Sequence, residues 1–168
     1  MAEPTRRTAL RRGLLFMGGL VGIGAASKLG AASGVGEVSA AGGTSLVLRA
    51  QNLQVHVGGQ RTARLPASGE PGAAHGDLVD PGGRRVGEVH VALMPVHGPG
   101  RASADAGTME WHTFHLDGGT IIGSGSAGTE GGSFAVIGGT GAYAGARGTY
   151  TLRRTGMDSA EFVLQLVP

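Results

Sequence analysis

The sequence predicts an all-β domain, on three observations. After residue 45 no stretch shows the 3.6-residue apolar spacing of an amphipathic helix. Short runs of alternating apolar and polar residues recur instead, the pattern of a half-buried strand. Between them stand turn sequences: "DPGG" from Asp80, "DGG" from Asp117 and "TGMDS" from Thr155. Seven runs are expected as strands, at 45–57, 84–96, 110–116, 119–127, 132–139, 148–154 and 160–167. Short strands at regular spacing indicate a sandwich or a barrel. Residues 58–76, "GGQRTARLPASGEPGAAHG", lack periodicity and are expected as a long loop around a possible short strand at 61–65. No internal repeat is present.

The first forty residues have a different chemistry. "TRRTALR" (Thr5 to Arg11) carries paired arginines, and "GLLFMGGLVGIGAA" follows as an apolar, glycine-rich run of 14 residues. A membrane-spanning helix needs about 20 apolar residues. A basic front, a short apolar middle and a small-residue tail describe an export signal. The paired arginines and mild hydrophobicity favour the twin-arginine route. The expected division is therefore 1–40 as export signal and linker and 41–168 as the folded domain, with cleavage after Ala32 or Ala40. The expected location is outside the cytoplasm, secreted or periplasmic, without stable membrane insertion after cleavage.

Charge and cysteine content narrow the function classes. The chain carries a formal +2, but five of its 14 basic residues and only two of its 12 acidic residues lie in 1–40. Nine bases against ten acids remain, a net −1 for residues 41–168. No basic field is left to attract nucleic acid or an anionic membrane. The chain has no cysteine, so neither disulfides nor a lipidated cysteine are available, and the domain must rest on its core.

"VIGGTGAYAGARGTY" (Val136 to Tyr150) resembles a phosphate-cradling loop at first sight. A dinucleotide loop joins a strand to a helix, whose free N–H groups hold the pyrophosphate. Here "TYTLRR" follows, with Tyr150 and Leu152 alternating against Thr149, Thr151 and Arg153, and that is strand chemistry. Gly139, Gly141 and Gly145 also give G-x-G-x-x-x-G, the wrong spacing for the fingerprint. The glycines are expected to shape a connection between two antiparallel strands, and no cofactor is expected.

The order of three segments carries a family resemblance. "GDLVDPGGRRVGEVH", "TFHLDGGTIIGSGS" and "FAVIGGTGAYAGARGTYTLRR" occur in the order seen in the allene oxide cyclase and dirigent barrels. The most specific part is Gly138-Gly139-Thr140-Gly141-Ala142-Tyr143 with Ala146-Arg147-Gly148, flanked by strands; Asp80 to Gly87 supplies a second matching segment. Residues 75–167 resemble that group. The resemblance implies an eight-stranded antiparallel β-barrel, calycin-related, with an apolar cavity, and an assembly as dimer or trimer. In dirigent proteins an arginine at the place of Arg147 lines the cavity, and a guanidinium there can donate to a developing oxyanion.

Glu88-x-His90 and Glu110-x-His112 each place a carboxylate and an imidazole on one strand face. Such pairs could serve acid/base chemistry or gather zinc. The wet outside of a barrel would give the same pattern. On the 110–116 strand, His112, Phe114 and Leu116 form the more apolar face, opposite Trp111, Thr113 and His115. The catalytic candidates are Arg147, Glu88 and His112, and the ligand-contacting candidates are Tyr143, Tyr150, Phe114, Phe134 and His90; no metal site is expected. Three functions compete: a barrel that steers cyclisation or coupling of a hydrophobic reactive metabolite, a lipocalin-like carrier, and a structural barrel with a filled interior. Convergent Arg, His or Glu groups in a cavity favour the first, an all-apolar cavity the second, and no cavity the third.

Replacing both Arg6 and Arg7 by lysine is expected to block export, read by immunoblotting of culture fractions. Unchanged secretion would refute the twin-arginine route.

Overall fold

The computed structural model describes residues 37–40, 43–67, 69–96, 107–167, without side chains for the first of these segments. The expected export signal lies, through residue 36, outside the described residues. Ten strands run β1 (Glu37–Ala40), β2 (Gly43–Val57), β3 (Gln60–Thr62), β4 (Gly72–Val79), β5 (Arg85–Val96), β6 (Gly107–Leu116), β7 (Gly119–Ala127), β8 (Gly131–Gly139), β9 (Arg147–Arg154) and β10 (Ala160–Val167). Eight of them close a barrel in the order β2-β10-β9-β8-β7-β6-β5-β4, with β4 pairing back to β2. Every pairing is antiparallel. The short strands β1 and β3 add to β2 outside the ring. Among the described residues no helix is long and apolar enough to cross a membrane.

The seven expected strands are all present, and two strands, β1 and β4, were not expected. Residues 72–79 form β4, which closes the barrel between β2 and β5, where the sequence predicts a loop over 58–76. The sequence "GAAHGDLV" has few of the β-branched and aromatic residues that mark strands. Cross-strand pairing on both sides overrides that weak propensity. The short strand lies at Gln60–Thr62, not 61–65, because a Gly58-Gly59 turn folds the chain directly back on β2.

Alternation sends one side chain in two to the interior. Leu46, Leu48, Val89, Phe114, Ile121, Phe134, Tyr150, Phe162 and Leu164 are buried there. The rings of Phe114, Phe134, Tyr150 and Phe162 surround His112, with centroids 4.7–5.9 Å from its imidazole. Each fully buried aromatic contributes about 1.5–3 kcal/mol of transfer free energy. This cluster fills the middle of the barrel.

Gly123 on β7 makes room for that cluster. A Cβ there would run into the Tyr150 ring and lie 2.8 Å from the Ala135 carbonyl. The glycine-rich segment after β8 is a strand connection. Thr140 and Ala142 donate their N–H groups to the carbonyls of Thr120 and Gly118, and Tyr143, Ala144 and Ala146 donate within the segment. Gly148, at φ +140°, lies so close to the Gln165 carbonyl that a side chain would collide with it. Five N–H groups of the connection are thereby committed to the fold.

Gly123→Ala is expected to destabilise the barrel by about 1–3 kcal/mol, the ordinary cost of overpacking a core. Urea melts of the two proteins measure it, and equal midpoints would contradict the close approach of Tyr150.

Candidate functional site

A carboxylate is buried in the apolar barrel. Glu110 and His112 point inward from β6, each 1% exposed, because Glu110, His112, Phe114 and Leu116 share one face of the strand. Tyr150 and Arg154 come from one face of β9, with Leu152 between them. Arg154 Nη2 donates to Glu110 Oε1 at 2.6 Å. Glu110 Oε2 lies 3.2 Å from His112 Nε2, and His112 Nδ1 lies 2.8 Å from the Tyr150 hydroxyl.

These contacts fix the protonation pattern. An ionised carboxylate can only accept, so His112 Nε2 carries the proton. The Nδ1 atom is hydrogen-bonded to the Tyr150 hydroxyl. Burial pushes the Glu110 carboxyl up, but the hydrogen bond from His112 and the charge of Arg154 together outweigh it, leaving the group below its ordinary value of 4.5. Burial, and next the negative charge of Glu110, push the Tyr150 phenol far above the usual tyrosine range. Tyr150 therefore stays neutral. No buried side-chain polar atom among the described residues lacks a partner.

The polar chain borders a cavity. Glu110, His112 and Arg154 line a space of about 70 Å³ together with Val55, Val91, Leu93, Leu152 and Phe162, under Leu65 and Met157 at the mouth. This mouth is the end of the barrel where β9 turns into β10 at residues 155–159. The bulge in β2, with Asn52 at φ 55°, ties to that turn through the Leu53 N–H and the Asp158 carbonyl, 3.0 Å apart. Asparagine tolerates this left-handed conformation better than most residues. Arg154 donates its Nη1 to the Gly128 carbonyl at 3.1 Å, so two of its five N–H groups are engaged in these bonds.

The structure brings together some of the residues singled out from the sequence and separates others. His112, Phe114, Phe134 and Tyr150 meet in the interior. Arg147 does not join them: it is exposed on the outer face at the start of β9, at the opposite end of the strand from Arg154. The seven-residue offset amounts to about 23 Å along a strand. The odd-numbered positions of β9 face out, so the guanidinium that reaches the cavity is that of Arg154. Tyr143 packs, half-buried, against the core from the connection at the far end of the barrel. Glu88 and His90 are exposed on the outside of β5, because a bulge at Gly87 sets Val86, Val89 and Val91 inward. Arg154 was not singled out, and Glu110 was noted in its pair with His112 without being placed among the catalytic candidates; both lie two residues, or four, from an inward residue on the same strand, and that parity was the available signal.

The comparisons with known proteins give the fold its place. No family model matches the sequence, and no curated protein matches it. Solved structures do. A pyocyanin demethylase superposes with a TM-score of 0.59 at 23% identity, over 73% of this chain and 99% of that one. A pterocarpan synthase dirigent protein gives 0.55 at 16% identity, over 74% and 92%. A Diels-Alderase from Streptomyces koyangensis gives 0.57 at 15% identity, over 73% of this chain and 63% of that one. At these identities the likeness is one of fold. The protein is an antiparallel barrel of the kind found in dirigent proteins and cyclases, as the sequence resemblance implied.

The lowered carboxyl of Glu110 has a signed consequence. A carboxyl whose folded pKa is depressed adds stability above its unfolded value and loses it as pH falls through the folded value. The stability gap between wild type and Glu110→Gln is expected to be largest at neutral pH and to shrink as pH drops below 4.5, in urea melts taken at a series of pH values. A gap that does not vary with pH would mean that Glu110 is not ionised in the barrel.

Proposed function

We propose that this chain is a small-molecule-binding barrel that steers the cyclisation or coupling of a hydrophobic, reactive metabolite. One observation carries the proposal: an ionised Glu110–Arg154 pair, backed by His112 and Tyr150, forms one wall of an otherwise apolar cavity. Burying a carboxylate is costly, and strongly perturbed charged groups beside a cavity concentrate at functional sites. An all-apolar cavity would support carriage; this one has a fixed anion and cation side by side.

The arrangement supplies two kinds of assistance. The apolar wall of Val55, Val91, Leu93, Leu152 and Phe162 holds a flexible ligand in one folded geometry, which removes entropy from the reaction barrier. Arg154 turns its remaining N–H groups to oxygen atoms that gain negative charge as bonds form. Glu110 faces regions that become positive, and His112 with Tyr150 keeps that carboxylate oriented. Fold neighbours that are dirigent and Diels-Alderase proteins by name agree with such steering. Ligand pockets commonly measure 300–1,000 Å³, against about 70 Å³ here. The exposed side chains of Leu65 and Met157 at the mouth therefore swing aside as the ligand enters. Export by the twin-arginine route would place this activity outside the cytoplasm.

The test begins with protein purified from its own host, whose co-purifying small molecule is identified by native mass spectrometry. Its reactive precursor is then converted with and without protein. The wild type is expected to change the product or enantiomer ratio. Arg154→Leu is expected to slow the steered product about 100- to 1,000-fold, as removal of an oxyanion donor does elsewhere, while thermal melting confirms the fold. A wild-type protein that binds the molecule yet leaves the ratio as in buffer is a carrier, and the proposal fails.

A further inference from the structure

The start of β2 is flanked on both sides, and one flank lies in the segment that the sequence predicts as export signal and linker. β10 pairs with residues 44–50 of β2, and β4 pairs with β2 from Arg49 onward. Ala50 stands opposite both Ala160 and Leu78, so β10 and β4 take different sides of β2. On the β4 side, residues 43–48 are left without a β4 partner. β1 pairs with four of them: Glu37 with Leu46, Val38 with Ser45, Ser39 with Thr44 and Ala40 with Gly43. Thr44, Ser45 and Leu46 are thus paired on both sides, with β1 and with β10. The packing on the β10 side is close, since a Cβ at Gly43 would lie 2.7 Å from the Leu166 carbonyl oxygen. β1 continues the wall where β4 stops.

We propose that the export leader is cut after Ala32, so that the exported protein begins at Ser33 and keeps β1 in its wall. This placement rests on the export reading of residues 1–40. It chooses between the two small-residue sites in the sequence, after Ala32 and after Ala40. Hydrolysis of the Ala32–Ser33 bond consumes one water and leaves a carboxylate on Ala32 and an amine on Ser33.

Two observations favour the first site. An extended substrate is gripped through its main-chain N–H and C=O groups, as in strand addition generally. Residues 37–40, which lead up to the bond after Ala40, are already paired with β2. The twin-arginine route carries folded cargo, so that pairing exists when the peptidase meets the chain. The second observation is length. Signal peptides run to about 15–30 residues. Ala32 lies six residues beyond the apolar run that ends at Ala26, and Ala40 lies eight residues further on. Gly30 and Ala32 supply small residues at the third and first positions before the cut, where the other site has the larger Val38 in the third. A cut after Ala40 would also strip β1 from β2 and bare one side of residues 43–46, an unpaired edge open to other chains. All of this lies at the closed end of the barrel, away from Glu110 and Arg154, and is independent of the activity proposed for the cavity.

The full-length chain is produced in a host with a working twin-arginine system, and protein from the extracytoplasmic fraction is analysed by intact mass and N-terminal sequencing. A single start at Ser33 is expected. Ala32→Gln, which puts a bulky residue before the cut, is expected to leave most of the protein as uncut precursor. Ala40→Gln is expected to change neither the start nor the amount of cut protein. A wild-type start anywhere other than Ser33, Ala41 above all, overturns the proposal and leaves export standing. Diversion of Ala32→Gln to a start at Ala41 also overturns it, because β1 would then be open to the peptidase. Wild-type precursor found uncut and only in the cytoplasm overturns the export reading and this proposal together.

Discussion

The charge of Glu110 is the constraint on which the interior depends. A carboxylate in an aromatic core is tolerable only when each oxygen has a partner, and here one oxygen meets Arg154 and the other His112. Removing one partner of a buried pair typically costs 3–5 kcal/mol, because the remaining charge is stranded. That cost explains why β6 and β9 must be held in fixed relation, although β7 and β8 separate them in the ring. The Arg154–Glu110 bond spans the barrel mouth, and the His112–Tyr150 bond spans the interior below it. Together they hold the two strands across the cavity as well as around the wall.

The aromatic packing and this polar chain depend on each other. Tyr150 is both a member of the ring cluster and the hydrogen-bond partner of His112, stacked on Phe134 at 4.9 Å. Space for its ring comes from the missing side chain at Gly123. The large interior residues on β6, β8, β9 and β10 are thus matched by a missing side chain at Gly123 on β7. The cavity lies toward the mouth, where Val55, Val91, Leu93 and Leu152 join His112 and Phe162 in lining it.

Much of the barrel was legible in the sequence, because period-two alternation and glycine turns are local signals. β4 was not, since "GAAHGDLV" becomes a strand through its neighbours and not through its own propensity. The site was half legible. His112, Phe114, Phe134 and Tyr150 could be found from apolar parity, and they do face inward. Arg147 drew attention because it sits in a distinctive glycine-rich motif, yet that motif shapes the closed end of the barrel. Arg154, seven residues on, has the right parity and the right end. Which end carries the mouth depends on how the 155–159 turn, the β2 bulge and the loop after β3 meet, and no local pattern encodes that meeting. The Glu-x-His pairs show the same limit: two copies of one pattern fall on opposite sides of the wall, because a bulge at Gly87 resets the phase of β5.

Closure of the ring joins the start of the chain's folded part to its end. Arg49 on β2 and Glu161 on β10 are an ion pair 112 residues apart, and seven register partners run along the same seam. Ring closure of this kind has a high contact order, which slows folding. Until β10 arrives, β2 and β9 each present an unpaired edge, the template for intermolecular strand addition. The ring therefore stays open during synthesis until β10 has emerged to pair with both β2 and β9. Until then the nascent protein is an open, adhesive sheet, the kind of species that chaperones protect.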